Sequence, residues 1–209
     1  MNRRSEAVLG FRITANKMKN YKIILASNSP RRKELLGGLD IDFSVRVLPG
    51  IDESYPDDLP KVDVAQYVSA KKAEAYKATI ADDELVITAD TIVICDNQVL
   101  GKPHDADEAR AMLTLLSGRT HMVVTGVCLT TKEKQSQFSV VTNVTFDRLT
   151  PDEIDYYINT YRPFDKAGAY GIQEWIGYVG VTRLEGSYFN VMGFPVQRVY
   201  KELQKITTQ

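Results

Sequence analysis

Cysteine and histidine are scarce in this 209-residue chain, with two of each, and neither sign of charge dominates. Cys95 and Cys128 stand apart, without the CxxC or Cys/His spacing of a zinc site. That pattern suits small buried thiols in a reducing compartment, so the expected location is cytoplasmic. His104 and His121 are too few for a His-based triad or a histidine-rich metal centre, and each reads as a surface or satisfied residue. No apolar run approaches the roughly 20 residues that a membrane-spanning helix needs, so no membrane partner is expected. With 26 basic against 27 acidic side chains the net charge is -1. No global field draws the chain to nucleic acid, and any anion site must be local. The phosphate loop GxxxxGK[ST], the GxGxxG fingerprint, HExxH and the GxSxG elbow are all missing.

What is present is ordinary in amount and specific in order. Apolar residues make up 44% and charged residues 25%, close to the average for a globular protein. The length fits one domain or a compact two-lobed unit. Residues 1–20 form a basic stretch broken by polar residues, without the apolar centre of a secretory signal. We expect a tail there, and a single two-lobed domain over residues 21–209.

Short apolar runs alternate with helical patterns. Residues 22–26 (KIILA) run as a strand into Ser-Asn-Ser-Pro, where Ser29 can cap a helix and Pro30 suits its first position. Leu35, Leu36 and Leu39 give that helix its apolar stripe. Residues 43–48 read as a second strand and 49–61 as an acidic, proline-punctuated loop. A helix is expected over 63–80, with Val64, Tyr67 and Val68 on its apolar side. The run LVITADTIVICDNQVLGKP from Leu85 reads as strand, polar break at residues 89–91, strand, then a turn at Asp96-Asn97. Asp105 and Glu108 resemble a capping box, and Thr150-Pro151-Asp152-Glu153 opens another helix. Between them, residues 122–131 and 138–147 flank Lys132-Glu133-Lys134 as a hairpin. A strand over 178–184 and a helix over 195–205 close the chain. The alternation with an interrupting hairpin predicts a mixed α/β sheet rather than an all-parallel one.

The chemistry concentrates at a few places. Arg31 and Arg32 fall in the first turn of a helix, where the peptide dipoles already favour anions over cations. Backbone N–H groups, the Ser27 and Ser29 hydroxyls and two guanidiniums together suit phosphate oxygens, although a solvated charge pair gives the same local sequence. Asp90, between two apolar runs, is costly to bury without charged partners or a metal, and it could orient water or hold Mg²⁺. A turn-forming Asp fits the same residues equally well. Glu53, Lys72 and Lys102 are individually weak signals. The glycine- and aromatic-rich stretch from residue 166 implies close backbone approach, and within it Gln173 could read a base edge through its amide.

Taken in order, LASNSPRRKELL, GIDES, KKAEAY, ADTIVICDNQVLGKP, LSGRTHMVVTGV and FDKAGAYGIQ…GSYFNVMGFP make the chain similar to the Maf nucleotide pyrophosphatases, a family first named for a link to septum formation. The resemblance implies an elongated, twisted mixed sheet flanked by helices, with two lobes around a central nucleotide cleft (Maf/ITPase-like). It also implies a homodimer that uses a divalent cation, Mg²⁺ or Mn²⁺, to hydrolyse nucleoside triphosphates to monophosphate and pyrophosphate. ADT, GAYGIQ and GSYFNV look like the branch acting on dTTP and UTP, modified pyrimidine nucleotides included. By position, Asp90 corresponds to the proton acceptor; its own chemistry would also allow a metal contact shared with the substrate phosphates. Arg31, Thr91 and Gln173 correspond to residues tied to substrate choice. Ser27, Arg32, Glu53, Lys72 and Lys102 match the remaining pocket positions, with Lys72 preferred to Lys71 because Ala73 follows it. The reading from a different class is a non-catalytic nucleotide-binding regulator of septum formation.

Overall fold

A computed structural model describes residues 21–207, so the basic stretch read as a tail lies outside the described residues. Its spine is one seven-stranded mixed sheet in the order β2-β1-β3-β5-β6-β7, with β4 paired to β3. The strands are β1 (Lys22–Leu25), β2 (Phe43–Val45), β3 (Glu84–Cys95), β4 (Gln98–Leu100), β5 (Thr120–Thr130), β6 (Gln135–Phe146) and β7 (Val181–Glu185). β1 runs parallel to β2 and β3, and the other pairings are antiparallel. The helices are α1 (Pro30–Gly37), α2 (Val64–Tyr76), α3 (Ala106–Leu116), α4 (Pro151–Tyr161), α5 (Trp175–Gly180), α6 (Tyr188–Val191) and α7 (Val196–Ile206).

Local signals explain the helix starts. Ser29 caps α1 by accepting from the Arg32 N–H with Pro30 in the first turn, and Thr150 and Glu153 form the full capping box of α4. At α3, Asp105 accepts from the Glu108 N–H, but the Glu108 carboxylate turns to His104 instead of closing the box. Asp96 and Asn97 both adopt positive φ, as the two-residue turn between β3 and β4 requires.

Two of the four apolar clusters draw on opposite halves of the long strands. One packs Leu85 and Ile87 of β3 against Leu36 of α1 and Val199 and Leu203 of α7. The other packs Val93 and Cys95 of β3 against Leu113 and Leu116 of α3 and Ile154 and Ile158 of α4. Each fully buried leucine or isoleucine contributes roughly 1.5–3 kcal/mol of transfer free energy. The middle of β3, around Asp90, lies between the two clusters.

Several expectations need correction. β3 is unbroken from Glu84 to Cys95, and Asp90 and Thr91 pair with Gly126 and Thr125 of β5. The expected break was a response to polarity, but a strand sends successive side chains to opposite faces, and both find polar partners. β2 stops at Val45, and α2 stops at Tyr76, preceded by a 3-10 turn at Lys61–Asp63. Val64 and Val68 are buried on α2, whereas Tyr67 is exposed. Residues 178–180 belong to α5, and the strand begins only at Val181.

α2 sits against the sheet because of one glycine. A Cβ on Gly126 would lie 2.3 Å from the Ala65 carbonyl carbon and oxygen, so only glycine lets the helix approach this closely. Gly126 is the β5 partner of Asp90, so the contact fixes α2 directly over the carboxylate.

Candidate active site

The cleft follows from the pairing of β3. Along one edge of β3, β1 bonds to Glu84 through Ile87 and β4 to Val93 through Cys95, while β5 covers the other edge. Residues 88–92 therefore present an edge to which no strand is paired, and a cavity of about 740 Å³ opens there. Asp90, Thr91, Ser27, Arg31 and Arg32 line it, and so do Glu53, Lys72, Lys102 and Gln173. All nine residues singled out from the sequence face one cavity.

Asp90 projects towards α2. Val64, Val68 and Lys72 recur every four residues on one side of that helix, so the face that buries the valines also delivers Lys72. Lys72 Nζ lies 2.8 Å from Asp90 Oδ1 and 3.1 Å from a Glu53 carboxylate oxygen. The Lys72 and Asp90 side chains are only 14% and 17% exposed, so this pairing offsets the desolvation that either charge would suffer alone. Lys71 points elsewhere, to Asp52 and Ser54. Among the described residues nothing donates to Asp90 Oδ2, and Lys102 at the exposed rim makes no ion pair or hydrogen bond.

Thr91 projects to the opposite face and meets Arg32. The guanidinium donates from Nε to the Gly193 carbonyl at 2.9 Å, from Nη1 to the Ala89 carbonyl at 3.0 Å and Ser27 Oγ at 3.4 Å, and from Nη2 to Thr91 Oγ1 at 3.0 Å. Burial pulls its pKa below the ordinary value, with the nearby Asp90 charge opposing. Arg32 thus completes the open edge of β3, since the Ala89 carbonyl that it caps would otherwise have no strand partner. Four protein acceptors occupy most of its five N–H groups, so in this arrangement little of the fork expected for phosphate is free.

Arg31 is the more available arginine. It donates to Asp165 Oδ2 at 2.8 Å, across the cleft mouth, and the Asp165 side chain is 56% exposed. Partial burial works to raise the Asp165 pKa, but hydrogen bonds from Lys166 and Arg31 outweigh it and hold the carboxyl at about 2. Asp165 and Lys166 line the cleft as well, and the sequence reading passed over them. They stand in the glycine-rich stretch as an adjacent acid and base, a pairing common on any solvated surface. With them the lining holds five cations, Arg31, Arg32, Lys72, Lys102 and Lys166, and three carboxylates, Glu53, Asp90 and Asp165.

Gln173 lines the cleft with its Oε1 buried, and no donor reaches that atom among the described residues. A buried acceptor without a partner costs roughly 1–3 kcal/mol, a penalty that a ligand N–H would remove. Among the described residues no cluster of three or more His, Cys, Asp or Glu side chains stands ready for a metal. Asp90 and Glu53, joined through Lys72, still fit a hard cation such as Mg²⁺, which takes one or two carboxylates and completes its shell with substrate phosphates and water. His104 is on the surface, as expected. His121 is buried, with Nε2 2.7 Å from the Tyr170 hydroxyl and Nδ1 without a partner, so it is not fully satisfied.

Fold and cleft define a mixed α/β protein in which a lysine-paired carboxylate sits at the centre of a predominantly cationic cavity. The family described as Maf-like protein matches over residues 22–206, and this chain belongs to it. It is 61% identical to a dTTP/UTP pyrophosphatase from Phocaeicola vulgatus over 90% of this chain and 98% of the relative. Identity to a dTTP/UTP pyrophosphatase from Parabacteroides distasonis is 58%, over 90% of this chain and 97% of the relative. A solved structure of a HAM1 protein from Coxiella burnetii aligns with 88% of this chain and 99% of that one at a TM-score of 0.43 and 15% identity, too distant to add to the fold or the chemistry. Among the described residues no helix is long and apolar enough to cross a membrane.

Proposed function

We propose that this protein hydrolyses dTTP and UTP to the monophosphate and pyrophosphate. One observation carries the reading beyond the names of its relatives: Asp90 is held by Lys72 through one oxygen while the other is left without a donor, inside a cleft with more cations than anions. A protein that only bound phosphates would have little use for a carboxylate beside a polyanion. In this reading Asp90 orients water, or takes its proton, for attack at the α-phosphorus. Arg31, Lys72 and Lys102 neutralise charge on the phosphates and the leaving pyrophosphate. Arg32, with Ser27 and Thr91, keeps the cleft wall in place. A divalent cation, Mg²⁺ or Mn²⁺, held by Asp90 with Glu53 would supply Lewis-acid charge at the phosphate oxygens.

For substrate choice, the Gln173 amide suits the edge shared by thymine and uracil, whose N3–H can donate to Oε1 and whose O4 can accept from Nε2. Cytosine presents a lone pair at N3 and leaves that oxygen unmatched as long as the amide is held in this orientation. The homodimer and the cytoplasmic location belong to the same proposal, the first resting on the family resemblance and the second on two free, buried cysteines. Sedimentation velocity reads the first.

The test is hydrolysis of dTTP, UTP, CTP, dATP and GTP with Mg²⁺, scored as monophosphate and pyrophosphate, with Asp90→Asn alongside. We expect release from dTTP and UTP, reduced about 10²- to 10⁴-fold in the variant, as removal of a general base does. Binding of every nucleotide without turnover would instead support the non-catalytic regulator, and preference for GTP would refute the role given to Gln173.

A further inference from the structure

Among the described residues no hydrogen bond holds the Gln173 amide in the cleft, so the turn that carries it decides where it sits. The residues flanking it hold that turn. Tyr157, fully buried on α4, accepts a hydrogen bond from the Gly171 N–H at 3.0 Å through its hydroxyl oxygen. The same hydroxyl donates to Glu174 Oε2 in a very short contact. The other oxygen of that carboxylate lies 3.0 Å from Lys166 Nζ, and Lys166 in turn lies 2.7 Å from Asp165 Oδ1. Asp165 Oδ2 is the partner of Arg31. The Glu174 N–H closes the turn on the Gly171 carbonyl at 3.0 Å.

One phenol therefore braces both ends of a four-residue turn, and an unbroken chain of polar contacts joins that brace to Arg31 on the far side of the cleft. The turn is also packed to its limit. A Cβ on Gly171 would come within 2.9 Å of the Glu174 carboxyl carbon and 3.0 Å of the Lys166 side chain. Burial, followed by the bond to Glu174, pushes the Tyr157 pKa up, in keeping with a phenol that stays protonated and donates.

We infer that Tyr157, Glu174 and Lys166 form a positioning clamp that sets the Gln173 amide at the base edge, so that Tyr157 and Glu174, which do not line the cleft, help govern the choice between thymine or uracil and cytosine. This inference rests on the base-reading role proposed for Gln173. None of the three is a catalytic residue. Their effect passes through the turn, and it should appear in selectivity and KM before it appears in kcat.

The experiment compares the wild-type protein with Tyr157→Phe, which keeps the buried ring and removes the hydroxyl, and with Glu174→Gln, which keeps the shape and removes the charge. Gln173→Ala serves as reference. The clamp predicts that the ratio of kcat/KM for dTTP over CTP falls about tenfold or more in Tyr157→Phe, mainly through a higher KM for dTTP, with kcat within about threefold. Glu174→Gln should shift the ratio in the same direction, and it carries the test if the phenylalanine variant fails to fold. An unchanged ratio in a folded variant would overturn the clamp. The side-chain amide resonances of Gln173, identified by their loss in Gln173→Ala, supply a readout that needs no nucleotide. They should move in both clamp variants, and stationary resonances would overturn the clamp whatever the kinetics show. Moving resonances in a protein that prefers neither pyrimidine would leave the clamp standing and remove the base-reading role.

Discussion

Replacing Arg32 by lysine preserves the charge of the cleft and removes the fork, so it separates a phosphate-binding role from the structural one. Three of the guanidinium's bonds are short: to the Gly193 carbonyl at 2.9 Å, the Ala89 carbonyl at 3.0 Å and Thr91 Oγ1 at 3.0 Å. These acceptors lie on different sides of a planar group, and a lysine ammonium, which donates from a single point, cannot serve them all. If two lose their donor, at about 1.5–3 kcal/mol for a hydrogen bond to a charged group, the gross loss is about 3–6 kcal/mol. Arg32 is only half-buried, so water recovers part of this, and we expect a net loss of about 2–4 kcal/mol. For a chain of this size that corresponds to roughly 6–12 °C in Tm, at about 2–4 °C per kcal/mol near the middle of that range. Urea unfolding gives the free energy directly, provided the slope is unchanged. Arg31→Lys is the control. Its partner Asp165 is largely exposed, so stability should change by less than about 1 kcal/mol while KM for the nucleotide rises. An Arg32→Lys protein within about 0.5 kcal/mol of wild type would refute the argument and return Arg32 to the phosphates.

Gly126→Ala places a methyl group 2.3 Å from the Ala65 backbone, so α2 must move. Because backbone rather than a side-chain tip is struck, urea unfolding should show a loss of about 3 kcal/mol or more, and turnover should fall as Lys72 leaves Asp90. His121 is buried, and desolvation lowers its pKa from 6.5 to about 4. Between those values the unfolded chain binds the extra proton, so stability falls as pH drops, by about 1.6 kcal/mol from pH 6.5 to pH 5, the slope approaching 1.36 kcal/mol per unit only below pH 6. His121→Gln should flatten that slope in urea titrations at fixed pH, and an equal slope would show that His121 is not its source.

How far the chain could be read beforehand depended on distance along it. The starts of α1 and α4 and the Asp96-Asn97 turn were legible because each is settled by hydrogen bonds within a few residues, where the side chains concerned are neighbours in sequence. The nine cleft residues were legible only through the ordered motifs of a family, because no single one of them differs from a surface charge or a turn residue. The continuity of β3 was not legible. Asp90 and Thr91 look like a break until α2 supplies Lys72 to one face and α1 supplies Arg32 to the other.

Composition and local pattern by themselves determined a mixed α/β chain, the starts of α1 and α4, its hairpin turns and the absence of familiar phosphate and metal motifs. Tertiary structure decided which charges are available. Arg31 and Arg32 are adjacent in sequence, yet one caps the open edge of β3 at Ala89 and reaches the Gly193 carbonyl 161 residues away, while the other faces the cleft mouth. The clamp behind Gln173 likewise depends on Tyr157 meeting Glu174 across 17 residues. The physical reason is that a side chain's chemistry is intrinsic to its residue, whereas its free donors, its desolvation and its partners are set by whatever the fold brings within about 3 Å of it.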